Sequence, residues 1–153
     1  MVHNDVLRSL RFMLETDDTG LAGIIRLGGG VITRPEVTAF LTREEEPGYV
    51  LCSDETMAHF LDGLVIHRRG RDERVLVHPV EKRVTNNIVL KKLRVAFELK
   101  DADLVALLAE SGFQVSKAEM SALFRNPAHK NFRAAGDQFL RNFLKSLTKR
   151  IRG

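Results

Sequence analysis

Cysteine is nearly absent: Cys52 stands alone among 153 residues. A single thiol excludes an internal disulfide and any centre built from several thiolates, and fits a reducing, cytoplasmic setting. Long apolar runs are lacking too. The longest uninterrupted one, Leu104 to Ala109, is far short of the roughly 18 residues a spanning helix needs. The start Met1-Val2-His3-Asn4-Asp5 has no basic segment leading into an apolar one, so neither a membrane span nor a secretion signal is expected. Gly28-Gly29-Gly30 lacks the Gly-Lys-Ser/Thr ending of a phosphate loop and follows a helical pattern, which makes it a helix terminator. What is present suffices for a core. With 44% hydrophobic and 29% charged residues, the chain reads as a soluble globular protein rather than a disordered one.

The net charge of +4 hides a split. Residues 1–76 carry 9 Lys/Arg against 13 Asp/Glu, and residues 77–153 carry 15 against 7, so the halves are −4 and +8. Summed surface charge steers association, and the second half is therefore where an anionic partner is expected.

An internal repeat organises the chain. At an offset of 83 residues, Asn4–Gly70 matches Asn87–Gly153 without a gap, with 17 identical pairs in 67 positions. Asn4/Asn87, Arg11/Arg94, Asp18/Asp101, Asp54/Asp137 and Phe60/Phe143 are among them, and Thr33/Ser116 and Tyr49/Phe132 are conservative matches. Duplication explains this better than chance. The organisation expected is a first repeat over 1–70, a connector over 71–86 and a second repeat over 87–153.

Each copy has helical periodicity throughout. The first segment places Val6, Leu7, Leu10 and Leu14, or Val89, Leu90, Leu93 and Phe97, on one face behind Asn4 or Asn87, which reads as a cap. A second helix follows Asp18 or Asp101 and ends near Gly28–Gly30 or Gly112. The third opens with Thr33-Arg-Pro-Glu36 or Ser116-Lys-Ala-Glu119, the form of a capping box, with Val37, Phe40 and Leu41 or Met120, Leu123 and Phe124 inward. The fourth starts at Asp54 or Asp137. The fold expected is all-α: two tandem four-helix repeats of about 67 residues, packed together because small units bury little of their surface. Only Val75–Val80 alternates as an extended segment would, and Pro79 argues against a central strand.

Asn4-Asp-Val-Leu-Arg-Ser-Leu-Arg11, Glu45-Glu-Pro-Gly-Tyr49, Asn86-Asn-Ile-Val-Leu-Lys-Lys-Leu-Arg94, His129-Lys130 and Leu140-Arg-Asn-Phe-Leu144 carry a resemblance. Together they resemble the YehS-like bacterial proteins, a family made of a tandem duplicated domain of unknown function. The resemblance spans nearly the whole chain. It implies a bacterial cytoplasmic protein of the same helical kind and brings no catalytic residue or cofactor with it.

Three constellations compete for a function. In the last helix, Phe139, Leu140, Phe143, Leu144, Leu147 and Ile151 fall within about 140°, and Arg141, Lys145, Lys149 and Arg152 within about 80° on the opposite side. The first copy has Ala58, Asp62, Ile66 and Arg69 there, so the fold does not require the basic stripe. Second, the helices flanking Gly112 have the outline of a helix-turn-helix, whose outward face would carry Lys117, Ser121 and Arg125. About six residues separate the two apolar patterns, more than the three to four such turns use. The following loop, Pro127-Ala-His129-Lys130-Asn131, is basic where Glu44-Glu-Glu-Pro-Gly48 is acidic. Third, Glu55, His59 and Asp62 share one helix face at a spacing that could meet a metal. The second copy has Gln138, Asn142 and Lys145 instead, and one helix seldom completes a site.

The leading reading is a noncatalytic binding or regulatory module without a cofactor or bound metal. Its basic second repeat would meet nucleic acid or an acidic protein through Lys117, Arg125, Lys130, Arg141, Lys145, Lys149 and Arg152. A protein-interaction adaptor using the groove between repeats is the alternative, and a metal or small-molecule enzyme the third.

Overall fold

The computed structural model describes residues 1–71 and 80–153. Among the described residues there are eight helices and no strand: α1 (His3–Met13), α2 (Asp18–Leu27), α3 (Arg34–Leu41), α4 (Asp54–Arg69), α5 (Asn86–Ala96), α6 (Asp101–Glu110), α7 (Lys117–Leu123) and α8 (Asp137–Arg152). They form two compact units, Met1–Val84 and Thr85–Gly153, with four helices each. The fold is all-α and built of tandem repeats. The alternating residues 75–79 lie outside the described residues.

Side-chain caps start α2, α3, α4, α5 and α7. Thr33 and Ser116 each accept from the backbone N–H of the glutamate three residues on, while Glu36 and Glu119 reach back to the cap's own N–H, closing both expected capping boxes. Asp17 accepts from Gly20 N at 2.9 Å to start α2. Replacing Thr33 or Ser116 by alanine removes one such bond, and each change is expected to cost about 1 kcal/mol. Thermal melts of the two variants measure it, and unchanged curves would contradict these starts.

The identical repeat positions supply both cores. Leu10 and Leu93, Leu21 and Leu104, Phe60 and Phe143, Leu61 and Leu144, and Leu64 and Leu147 are all buried. Each is worth about 1.5–3 kcal/mol of transfer free energy. Helix ends depart from the expected register. Met13 and Ala96 are buried where Leu14 and Phe97 were expected, because α1 and α5 stop there. The chain then turns through a left-handed residue, Glu15 (φ 51°) or Glu98 (φ 54°). Leu41 and Phe124, also expected inward, are half-buried at the ends of α3 and α7, and Ile151 is 40% exposed near the end of α8.

Asn4 and Asn87 are not caps. The N-cap positions are Val2, which makes no side-chain bond, and Thr85, which accepts from Ile88 N. Each asparagine instead sits in the first turn and ties three chain segments together. Asn4 Nδ2 donates to Phe40 O at 3.0 Å and Val50 O at 2.8 Å, and its Oδ1 accepts from Cys52 N at 2.9 Å. Asn87 Nδ2 donates to Leu123 O and Arg133 O, and its Oδ1 accepts from Ala135 N, all at 2.9 Å. Every partner is shifted by the repeat offset of 83. A primary amide suits this place because it offers two donors and an acceptor on one rigid plane.

The units differ where their second and fourth helices meet. In unit 1, Gly28 and Gly63 let the backbones of α2 and α4 touch: a Cβ on Gly63 would lie 1.8 Å from Ile24 O, and one on Gly28 1.8 Å from His59 O. In unit 2 the same positions are Ser111 and Ser146, whose hydroxyls bond to each other at 2.6 Å.

Candidate functional site

The outer face of α8 is made by what holds its inner face. Leu140, Phe143, Leu144 and Leu147 are buried, and polar ties fix the helix along its length. At the start, Asn86 Nδ2 donates to Asp137 Oδ1 at 2.9 Å and to Ala135 O at 3.0 Å. Midway, Ser146 meets Ser111. Near the end, Arg150 pairs with Glu110 at 2.7 Å. Arg150 is thus spent on the unit's own structure.

Arg141, Lys145, Lys149 and Arg152 are exposed along the opposite side, as the helical spacing requires. Arg141 touches the Gln138 amide oxygen at 3.5 Å. Lys145 and Lys149 have no ion-pair partner among the described residues, whereas the charge of Arg141 helps hold the Asp137 carboxyl, one turn back, below its ordinary range. The three follow one another four residues apart, about 6 Å along the axis, so their charges stand in a row. The unit is electrostatically one-sided: residues 85–153 hold 13 Lys/Arg and 6 Asp/Glu, a net +7, against −3 for residues 1–84.

The other candidate residues belong to a different group of elements. Lys117 is the first residue of α7 and exposed. Arg125 was expected on that helix, but α7 ends at Leu123, and Arg125 instead donates to Asn131 O at 3.3 Å across the following loop. Lys130 is exposed in that loop, where His129 Nδ1 accepts from Asn131 N at 3.0 Å and helps close the turn. A seven-residue α7 after a six-residue link departs from helix-turn-helix proportions.

Arg94 and Glu119 explain other charges in unit 2 as structural. Arg94 pairs with Asp101 at 2.8 Å and lies over the Phe124 ring at 4.7 Å from its centre. Hydrogen bonds from the Ser116 hydroxyl and backbone, with Arg133 beside them, hold the Glu119 carboxyl below the usual carboxylate range.

Unit 1 offers less for an anion and, among the described residues, no metal centre. His59 Nδ1 lies 2.9 Å from Gly28 O, and no group of three His, Cys, Asp or Glu among the described residues is placed to hold a metal ion. Cys52 is buried, and that burial, with the Asp54 charge second, pushes its thiol up to about 12. It is therefore protonated and inert at neutral pH. His3 Nε2 sits 2.6 Å from Asp54 Oδ1 and holds that carboxyl below its ordinary range. The stability this tie gives is present at neutral pH and fades as the carboxylate takes up a proton in acid. Unit 2 replaces the pair by Asn86 and Asp137.

Sequence reasoning missed the asparagine ties and the glycine contact. The signals were there: Asn4 and Asn87 are identical at the repeat offset, and Gly28/Ser111 and Gly63/Ser146 change together. No described helix is long and apolar enough to cross a membrane.

Comparison with known proteins agrees with the duplicated architecture. The family model described as "Protein of unknown function (DUF1456)" matches twice, over residues 3–70 and 86–153. The chain is 45% identical over 150 residues to the uncharacterized protein YehS of Escherichia coli (strain K12), covering 98% of this chain and 96% of that protein. No solved structure matches. Two consecutive matches that together take in nearly all of the chain, each coinciding with four helices, make it a member of the DUF1456 family.

Proposed function

We propose that the protein is a noncatalytic, cytoplasmic binding module whose second unit contacts nucleic acid through the outer face of α8. The observation that carries this reading is the exposed row Arg141, Lys145 and Lys149, of which Lys145 and Lys149 have no ion-pair partner among the described residues, on a helix whose Arg150 is tied to Glu110. Exposed cations at regular spacing suit a polyanion with regularly spaced charge, and neutralising phosphates releases counterions, which supplies affinity without base contacts. Lys117, Lys130 and Arg152 add charge to the same unit, whereas Arg125 is engaged by its own loop.

Replacing Arg141, Lys145 and Lys149 together by glutamate tests it. All three side chains are exposed, so the variant should fold with nearly unchanged stability. Binding of fluorescently labelled DNA or RNA at about 50 mM salt should be lost, because three attractive charges become repulsive. Failure of the wild type to bind either nucleic acid, or equal binding by the folded variant, would overturn the reading.

A further inference from the structure

We infer that unit 1 binds a polypeptide segment presenting an arginine beside apolar side chains, in a groove whose counterpart within unit 2 is occupied by that unit's own Arg133. The groove is open, about 430 Å³ in volume, and lined by Pro35, Glu36, Ala39 and Phe40 of α3 on one wall and Val50, Leu51 and Ser53 on the other. Val50 and Leu51 are 50% and 61% exposed.

The duplication supplies an internal comparison. At the place of Val50, unit 2 has Arg133, whose guanidinium bonds Glu119 Oε2 at 3.3 Å. Glu36 is the counterpart of Glu119 and keeps the same capping role. Its carboxylate has no basic partner among the described residues, because valine stands where the arginine would be. The apolar wall and the unneutralised carboxylate therefore lie in one groove. An arginine from outside would restore the ion pair that unit 2 makes internally, and an adjacent apolar side chain would cover Val50 and Leu51.

Two observations favour a basic peptide over other occupants. The chain enters the second wall through Glu44-Glu45-Glu46, all exposed, and residues 1–84 carry a net −3. The groove is also preformed. Asn4 holds Phe40 O on one wall and Val50 O on the other, and Val50 N donates to Ala39 O at 3.2 Å, so little ordering is left for a ligand to impose.

The test uses the full chain and fluorescein-labelled peptides with Leu-Arg-Leu between glycine spacers, against the same peptides with citrulline or glutamate for arginine. The arginine peptide should bind, with the citrulline and glutamate forms at least tenfold weaker. Val50→Arg copies unit 2, filling the groove and neutralising Glu36, and should abolish binding while the protein stays folded. Glu36→Gln keeps the capping box, since glutamine also serves at that position. It should erase the preference for arginine over citrulline. Absence of binding, equal binding of all three peptides, or full binding by folded Val50→Arg would overturn the inference. So would a wild-type dimer in light scattering that Val50→Arg converts to monomer, since a second copy would then be the occupant.

Discussion

Replacing Asn4 by alanine is expected to raise the rate at which Cys52 is alkylated by on the order of a hundredfold. The change leaves Phe40 O, Val50 O and Cys52 N without the partners they have at 3.0, 2.8 and 2.9 Å. A buried orphan costs about 1–3 kcal/mol. Val50 is half exposed, so water relieves part of the loss, and a total near 3 kcal/mol is expected. Cys52 reports on unit 1 alone: it is buried, its thiol is pushed up to about 12, and it reacts only when the unit opens. At roughly 1.4 kcal/mol per factor of ten, 3 kcal/mol corresponds to that hundredfold increase. Asn4→Asp should do no better, since its carboxylate would face two carbonyl oxygens. The equivalent Asn87→Ala should cost less, because Asn87 is only half-buried and Arg133 is exposed, and amide exchange in unit 2 reads it. An unchanged alkylation rate in Asn4→Ala would show that the tie is incidental.

Gly63→Ala should destabilise the protein although alanine is the better helix former. In an open helix interior the change gains about 1 kcal/mol. Here the new methyl would lie 1.8 Å from Ile24 O and 2.9 Å from Gly28 N, both backbone atoms that no rotamer change can move aside. The helices must separate, and Leu21, Ile25 and Leu64 lose their packing with them. Overpacking of this kind costs about 1–3 kcal/mol, and with backbone as the obstacle the cost falls at the upper end, so the net effect after the helix-propensity gain should be about 2 kcal/mol. At the corresponding place in unit 2, Ser146→Ala should cost about 1 kcal/mol, the value of its bond to Ser111. Denaturant melts of both variants decide the matter. A stabilised Gly63→Ala would mean that α2 and α4 are farther apart than their glycines indicate.

The helices, their order and most of the core were legible because apolar side chains at helical spacing have one way to be buried. The capping boxes were legible for a related reason: both bonds are made within four consecutive residues. Asn4 and Asn87 were misread because their partners lie 36 to 48 residues away, and a local reading of an asparagine near a helix start finds only a cap. Arg125 was placed on α7 because periodicity marks no end there, and the helix stops two residues earlier. The groove in unit 1 leaves no local signal either. It becomes visible only when Val50 is set against Arg133 and the Arg133–Glu119 bond shows what the valine fails to do. The basic row on α8 was readable in full, since it lies on one helix and depends on nothing but its period.

That row carries the nucleic-acid reading, and the salt dependence of binding measures it most directly. Titration of a labelled DNA duplex at several salt concentrations should give a slope of log affinity against log salt near −3 for the wild type, about −0.9 for each phosphate neutralised. Arg141→Ala, Lys145→Ala and Lys149→Ala in one chain should bring that slope close to zero. A wild-type slope near zero, or one that the three alanines leave unchanged, would contradict it.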